Sequence, residues 1–177
     1  MANSRFNIKH MMSSKKIIIS LLTITAMFSA CSSSKETTGL SEAQLKDLLA
    51  SRQYQFRATD VRPVSGRSRI LTDTYTLNVN RDEVTADLPY FGRAYNAPAN
   101  PADIGVSFTS RDFTYDQKDR NKDGWEIKII PGDVSDIREC QLIVYGNGKA
   151  DLMVNSNSRQ TISYHGYITT IPVKSNK

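Results

Sequence analysis

The chain has 177 residues, the size of one ordinary domain, with 23 Lys and Arg against 18 Asp and Glu. Four of the cations, Arg5, Lys9, Lys15 and Lys16, fall in the first thirty residues, which hold no acid. The remainder is therefore close to neutral and lacks the basic surplus that a nucleic-acid binder keeps. Cys31 and His10 lie in the leader and only Cys140 and His165 in the body, which argues against an internal disulfide and a zinc site of Cys and His.

In chain order, the first element is a leader. Ser13-Ser14-Lys15-Lys16 precedes a mostly apolar run over residues 17–28, followed by Ser29, Ala30 and Cys31. A basic head, about a dozen mainly apolar residues and a small-residue exit describe a secretory signal. The run is short of the roughly 20 apolar residues of a transmembrane helix. Met11 and Met12 fit as alternative starts to Met1. Phe28-Ser29-Ala30-Cys31 resembles the lipobox of bacterial lipoproteins, with Phe28 where those proteins favour Leu. The plainer alternative is an ordinary secretory signal beside a chance Cys. The resemblance implies that residues 1–30 are removed and that Cys31 carries the acyl chains (palmitate among them) that anchor the protein to a membrane. Ser32 rather than Asp follows it. By the same resemblance, that implies a cell-envelope protein sorted to the outer membrane.

Residues 31–39, Cys-Ser-Ser-Ser-Lys-Glu-Thr-Thr-Gly, form a polar tether. One β domain is expected over 40–174. Ser41 with Gln44 makes a capping box, and Leu40 with Leu45 a staple, for a short helix running to about Arg52. The period then becomes two. Tyr54/Phe56/Ala58, Tyr75/Leu77/Val79, Val84/Ala86/Leu88, Val106/Phe108, Phe113/Tyr115, Trp125/Ile127/Ile129, Cys140/Leu142/Val144, Ala150/Leu152/Val154 and Ile162/Tyr164 through Ile168 each predict a strand. Polar turns separate them at 80–83, Gly146-Asn147-Gly148 and 155–159. The expected fold is mainly β. It is an antiparallel meander of eight or nine strands, closed as a small barrel or folded as a sandwich, with the helix across one end or face.

Pro89-Tyr90-Phe91-Gly92-Arg93-Ala94-Tyr95 places three aromatics and a guanidinium in seven residues. The Pro-rich residues 97–101 follow and cannot be a central strand. Tyr90, Phe91, Arg93 and Tyr95 are the candidate contact residues for a ligand or partner. The alternative is that the aromatics fold back over an open sheet end. The octapeptide from Leu88 to Tyr95 resembles the signature of domain-of-unknown-function family 4251, envelope lipoproteins of the Bacteroides group. The Tyr54, Val106, Trp125 and Ile162 strands are similar to that family as well. The resemblance spans roughly 40–172. It implies an envelope lipoprotein with a small barrel-like domain and brings no catalytic residues.

Three weaker constellations complete the reading. Asp119-Arg120-Asn121-Lys122-Asp123-Gly124 matches the opening of a calcium loop, but Ile130 stands where the twelfth-position Glu belongs. It is expected to be a hairpin turn. His165 alternates with inward Ile162 and Tyr164 and is expected on the solvated face without a partner. Cys140 is expected in the core. No catalytic residue, metal or cofactor is expected. The function expected is a non-catalytic binding module anchored to the membrane through its lipid, with an envelope protein or glycan as partner. The alternatives are an envelope glycan hydrolase using two carboxylates and a structural subunit of an envelope assembly.

Overall fold

The structure, a computed structural model, describes residues 39–95 and 105–172. The leader, Cys31, nearly all of the tether and the 97–101 stretch lie outside the described residues.

Among the described residues, one α-helix and nine strands follow in order: α1 (Glu42–Ser51), β1 (Tyr54–Pro63), β2 (Arg69–Val79), β3 (Val84–Leu88), β4 (Val106–Ser110), β5 (Phe113–Asp119), β6 (Trp125–Pro131), β7 (Ile137–Val144), β8 (Lys149–Ser156) and β9 (Ile162–Thr169), with a single 3-10 turn at Asn121–Asp123 between β5 and β6. The strands form a single antiparallel sheet in the order β4-β3-β2-β1-β9-β8-β7-β6-β5. The meander is a nearly closed barrel, with a helix as expected. Its first and last strands pair along their length, and its opening falls between the consecutive strands β4 and β5.

The reason for that opening lies in the two residues joining them. Ser110 Oγ, the Arg111 N–H and the Asp112 N–H all donate to the carboxylate of Asp133, and Gly132 N–H donates to Asp112 O. The link is fixed to the β6–β7 connection and not used as a hairpin. These bonds, that from Ser110 foremost, hold Asp133 below the usual carboxylate pKa.

The predicted alternation is the inside–outside pattern of the sheet. Tyr54, Phe56, Leu77, Ile127, Ile129, Leu142, Leu152 and Tyr164 are fully buried in one cluster. Each such side chain contributes roughly 1.5–3 kcal/mol by leaving water. The interior is therefore packed side chain and not a lumen. Cys140 is in it as expected, and burial pushes its thiol up to about 12. Leu45 and Leu49 of α1 join the same cluster. The capping box forms, and the chain leaves the helix through Arg52 in the left-handed conformation. Arg81 Nε donates to Ser51 O across 3.3 Å, and the Arg52 guanidinium lies 4.5 Å from the centre of the Tyr115 ring.

Two strands exceed their predicted length. β1 and β2 continue as a ribbon through Pro63 and Arg69. In its outer part only Val61 is fully buried, so the sequence there has no alternating signal. A bulge at Thr59 marks where this ribbon departs from the barrel wall.

Candidate functional site

The segment after β3 folds back onto the β8–β9 turn. Ala94 bridges Arg159, Tyr95 N–H donates to Ser158 O at 2.8 Å, and Gln160 N–H donates to Arg93 O at 3.0 Å. The Tyr90 hydroxyl sits within hydrogen-bonding distance of two carbonyls, Arg93 O at 2.9 Å and Gln160 O at 3.0 Å. Beneath it, Tyr164 donates its hydroxyl to Pro89 O at 2.8 Å. Burial raises both phenols above their ordinary pKa.

The cation that organises this region is Arg159, not Arg93. Its side chain is only 15% exposed, pairs with Asp136 at 3.4 Å and donates to Gly105 O at 2.7 Å. The same guanidinium lies 5.3 Å from the Tyr90 ring centre, within cation–π range. Asp136 in turn accepts from Ser156 and Ser158. Of the four residues the sequence singles out here, Tyr90 is half-buried and bonded inward, while Phe91, Arg93 and Tyr95 are exposed. The Arg69 guanidinium lies 4.5 Å from the Phe91 ring centre.

A second site was not visible as a motif. On the outer face of the barrel, Asp60 of β1, His165 of β9 and Asp151 of β8 stand side by side in register. Two strand spacings separate the outer pair, about 10 Å between backbones. Three features bring them together. The closure of β1 on β9 joins residues more than a hundred positions apart. The Thr59 bulge turns Asp60 outward while Val61 takes the inward position. Finally, Gly166 allows β1 to pass closely, because a Cβ there would overlap the Arg57 carbonyl oxygen and crowd the Phe56 ring.

The side chains of this row are linked. His165 Nδ1 pairs with Asp151 Oδ1, and Tyr145 donates its hydroxyl to Asp151 Oδ2 at 2.8 Å. That hydrogen bond, ahead of partial burial, raises the Tyr145 phenol. Thr59 Oγ1 donates to the backbone oxygen of His165 at 3.1 Å. Tyr145 stands at the head of the β7–β8 turn. There Asn147 Oδ1 accepts from Lys149 N–H, and Gly148 takes the positive φ of 81° that closes the loop. His165 is therefore not the partnerless, solvated residue the alternation suggests. Its side chain is 30% exposed, its Nδ1 is bound, and its Nε2 is buried without a partner. The outer strand face is not flat here, because the Thr59 bulge and the Tyr145 turn wall it in.

These residues line an open trough of about 760 Å³, with Tyr167 on one wall. A second depression of about 420 Å³ shares Asp151 and His165 and continues past Arg62, Met153 and Gln141. Both lie within or near the size of small-molecule sites, about 300–1,000 Å³. Among the described residues, no cluster of His, Cys, Asp and Glu is arranged to hold a metal ion. The 119–124 segment is a turn, as the sequence suggests. Asp119 Oδ1 accepts from Asn121 N–H at 2.7 Å, and Arg120 N–H donates to Gly124 O at 2.8 Å.

The phase change between inward Ala58 and inward Val61 is the sequence signal that could have located the bulge. The lone Gly166 inside a strand is the signal for the close approach.

Comparison with solved structures places the fold beside the crystal structure of a DUF4251 family protein from Bacteroides eggerthii. The two share 17% identity at a TM-score of 0.51, over 73% of this chain and 87% of that one. No curated protein matches the chain. The family model described as a domain of unknown function, DUF4251, matches residues 36–168. The chain belongs to the DUF4251 family.

Proposed function

We propose that this is a lipid-anchored protein of the cell envelope, sorted to the outer membrane, whose β domain is a non-catalytic binding module. The observation that carries the binding role is the trough. Hydroxyl, carboxylate and aromatic groups of β1, β8, β9 and the Tyr145 turn converge on one concavity. Polar groups converging in such a cavity fix the orientation of a ligand. The Phe28-Ser29-Ala30-Cys31 lipobox supports the anchor.

A second reading has one observation in its favour. Asp60 and Asp151 flank His165 across one groove, which is the inventory of a carboxylate-pair glycan hydrolase. The bonding pattern argues for binding instead. Both oxygens of Asp151 are taken by Tyr145 and His165, and the Nε2 of His165 is shielded from any substrate. The imidazole orients Asp151 and offers no accessible base.

Two experiments test this proposal. Metabolic palmitate labelling should mark the wild type and not Cys31→Ser, and the variant should leave the membrane fraction. Unlabelled wild-type protein would remove the anchor. Thermal melting of the full chain in detergent should shift upward with one separated envelope fraction, and Asp60→Asn should abolish the shift. Release of reducing ends from that fraction by the wild type but not by Asp60→Asn would establish the hydrolase in its place.

A further inference from the structure

Resting on the binding reading above, we propose that the trough is a saccharide site that takes an uncharged oligosaccharide laid across β1, β9 and β8. Four observations lead there. The first is charge. Asp60 and Asp151 in the trough and its extension are matched by Lys149 and Arg62, so the lining is strongly charged but nearly balanced. A phosphate or uronate would meet two carboxylates, and an organic cation would meet Lys149 and Arg62. A neutral ligand rich in hydroxyls meets donors and acceptors of both kinds.

The second is the pairing of aromatic and polar groups. Tyr145 is 37% exposed at one end of the trough, and Tyr167 lines it as well. A pyranose ring has an apolar CH face that packs on such rings and a rim of hydroxyls. Asp60 and Thr59 stand where that rim would be read. Among the described residues, the one hydroxyl beside the Asp60 carboxylate is that of Thr59, at 3.3 Å, and its proton is directed to His165 O at 3.1 Å, so the carboxylate retains acceptor capacity.

The third is pre-organisation. The Tyr145–Asp151–His165 chain and the Thr59 bond to His165 O hold the floor in one arrangement before any ligand arrives. Rigid sites lose less entropy on binding.

The fourth excludes a peptide captured by strand addition. β1, β9 and β8 are interior strands, and their backbone groups are engaged in ladders on both sides. An extended peptide adds to a sheet through unpaired edge groups. Those lie on β4 and β5, away from the trough. Recognition in the trough must run through side chains. The second depression, lined by Arg62 and Gln141, adjoins the trough at Asp151 and His165 and offers room for further linked rings.

The test is calorimetric titration of the full chain in detergent micelles. The probes are neutral gluco-, xylo- and chito-oligosaccharides of one to six units, beside an oligogalacturonate and inorganic phosphate. At least one neutral series should bind, with affinity rising with length. Asp60→Asn should weaken it by about 10- to 100-fold through loss of a charge-assisted hydrogen bond. Tyr145→Ala should also weaken it, and Lys46→Ala on the outer face of α1 should leave it unchanged. Preference for oligogalacturonate or phosphate would overturn the ligand class. So would silence across the panel while an envelope fraction still shifts melting in an Asp60-dependent way. In both those cases the binding reading survives. Silence from the panel and every envelope fraction would sink both.

Discussion

The Tyr90 loop and the Asp60–Asp151 trough are built from similar residue types, tyrosines beside charged groups, yet they direct them to opposite ends. In the loop, the Tyr90 and Tyr164 hydroxyls and the Arg159 guanidinium all end on backbone carbonyls or on Asp136, so the polar groups close the fold on itself. In the trough, Tyr145, Asp151 and His165 bind one another but keep a face toward solvent, and Asp60 keeps acceptor capacity. A dense aromatic–arginine string in a sequence can therefore mark a seam that locks two turns together. A binding surface can be assembled from single residues that no local pattern joins. Phe91, Arg93 and Tyr95 remain on the outer surface of that seam.

The comparison can be broken by mutation, beginning with the keystone of the loop. Arg159→Ala should cost about 2 kcal/mol in denaturant unfolding, because it removes the ion pair with Asp136 and the hydrogen bond to the Gly105 carbonyl together. A change below about 0.5 kcal/mol would show that the loop is not held this way. Tyr164→Phe should cost about 1 kcal/mol, for the bond to Pro89 O. It should also alter the alkaline limb. Burial raises the Tyr164 phenol in the folded state, so its stabilising contribution is complete below an unfolded-state pKa of about 10 and is lost as pH rises beyond it. The wild type should lose stability above about pH 10, and Tyr164→Phe less steeply. Identical limbs would dismiss the role given to that phenol.

Tyr90→Phe should cost a similar or smaller amount, about 1 kcal/mol, and leave trough binding untouched. On the other side, Asp60→Asn should move stability by no more than about 0.5 kcal/mol while removing ligand-induced stabilisation. If Asp60→Asn unfolds the protein and Tyr90→Phe abolishes binding, the two regions have been assigned the wrong way round.

Most of the fold was legible because its wall is thin and one-sided. A barrel strand with its core on one face must alternate, and Tyr54/Phe56, Leu142/Val144 and Leu152/Val154 do so. The β1–β2 ribbon was illegible for the same reason in reverse. Beyond the Thr59 bulge it buries only Val61 completely, so nothing in its sequence requires alternation. The candidate site was less legible. Tyr90 stood out by composition, but the side chain that secures it, Arg159, is set in an ordinary polar turn. His165 and Asp60 face each other only because the last strand pairs with the first, and Asp151 joins them through β8. Such register is a property of the closed sheet. Its local traces are small, a phase slip after Ala58 and a glycine at 166.

The most direct test of the central claim is amide chemical-shift mapping on the full chain in detergent micelles, titrated with neutral oligosaccharides prepared from the envelope fraction that stabilises it. The account predicts perturbations clustered at Thr59, Asp60, Tyr145, Asp151, His165 and Tyr167, with the Tyr90 loop silent. Perturbations centred on Phe91, Arg93 and Tyr95, or along the β4 and β5 edges, would contradict it.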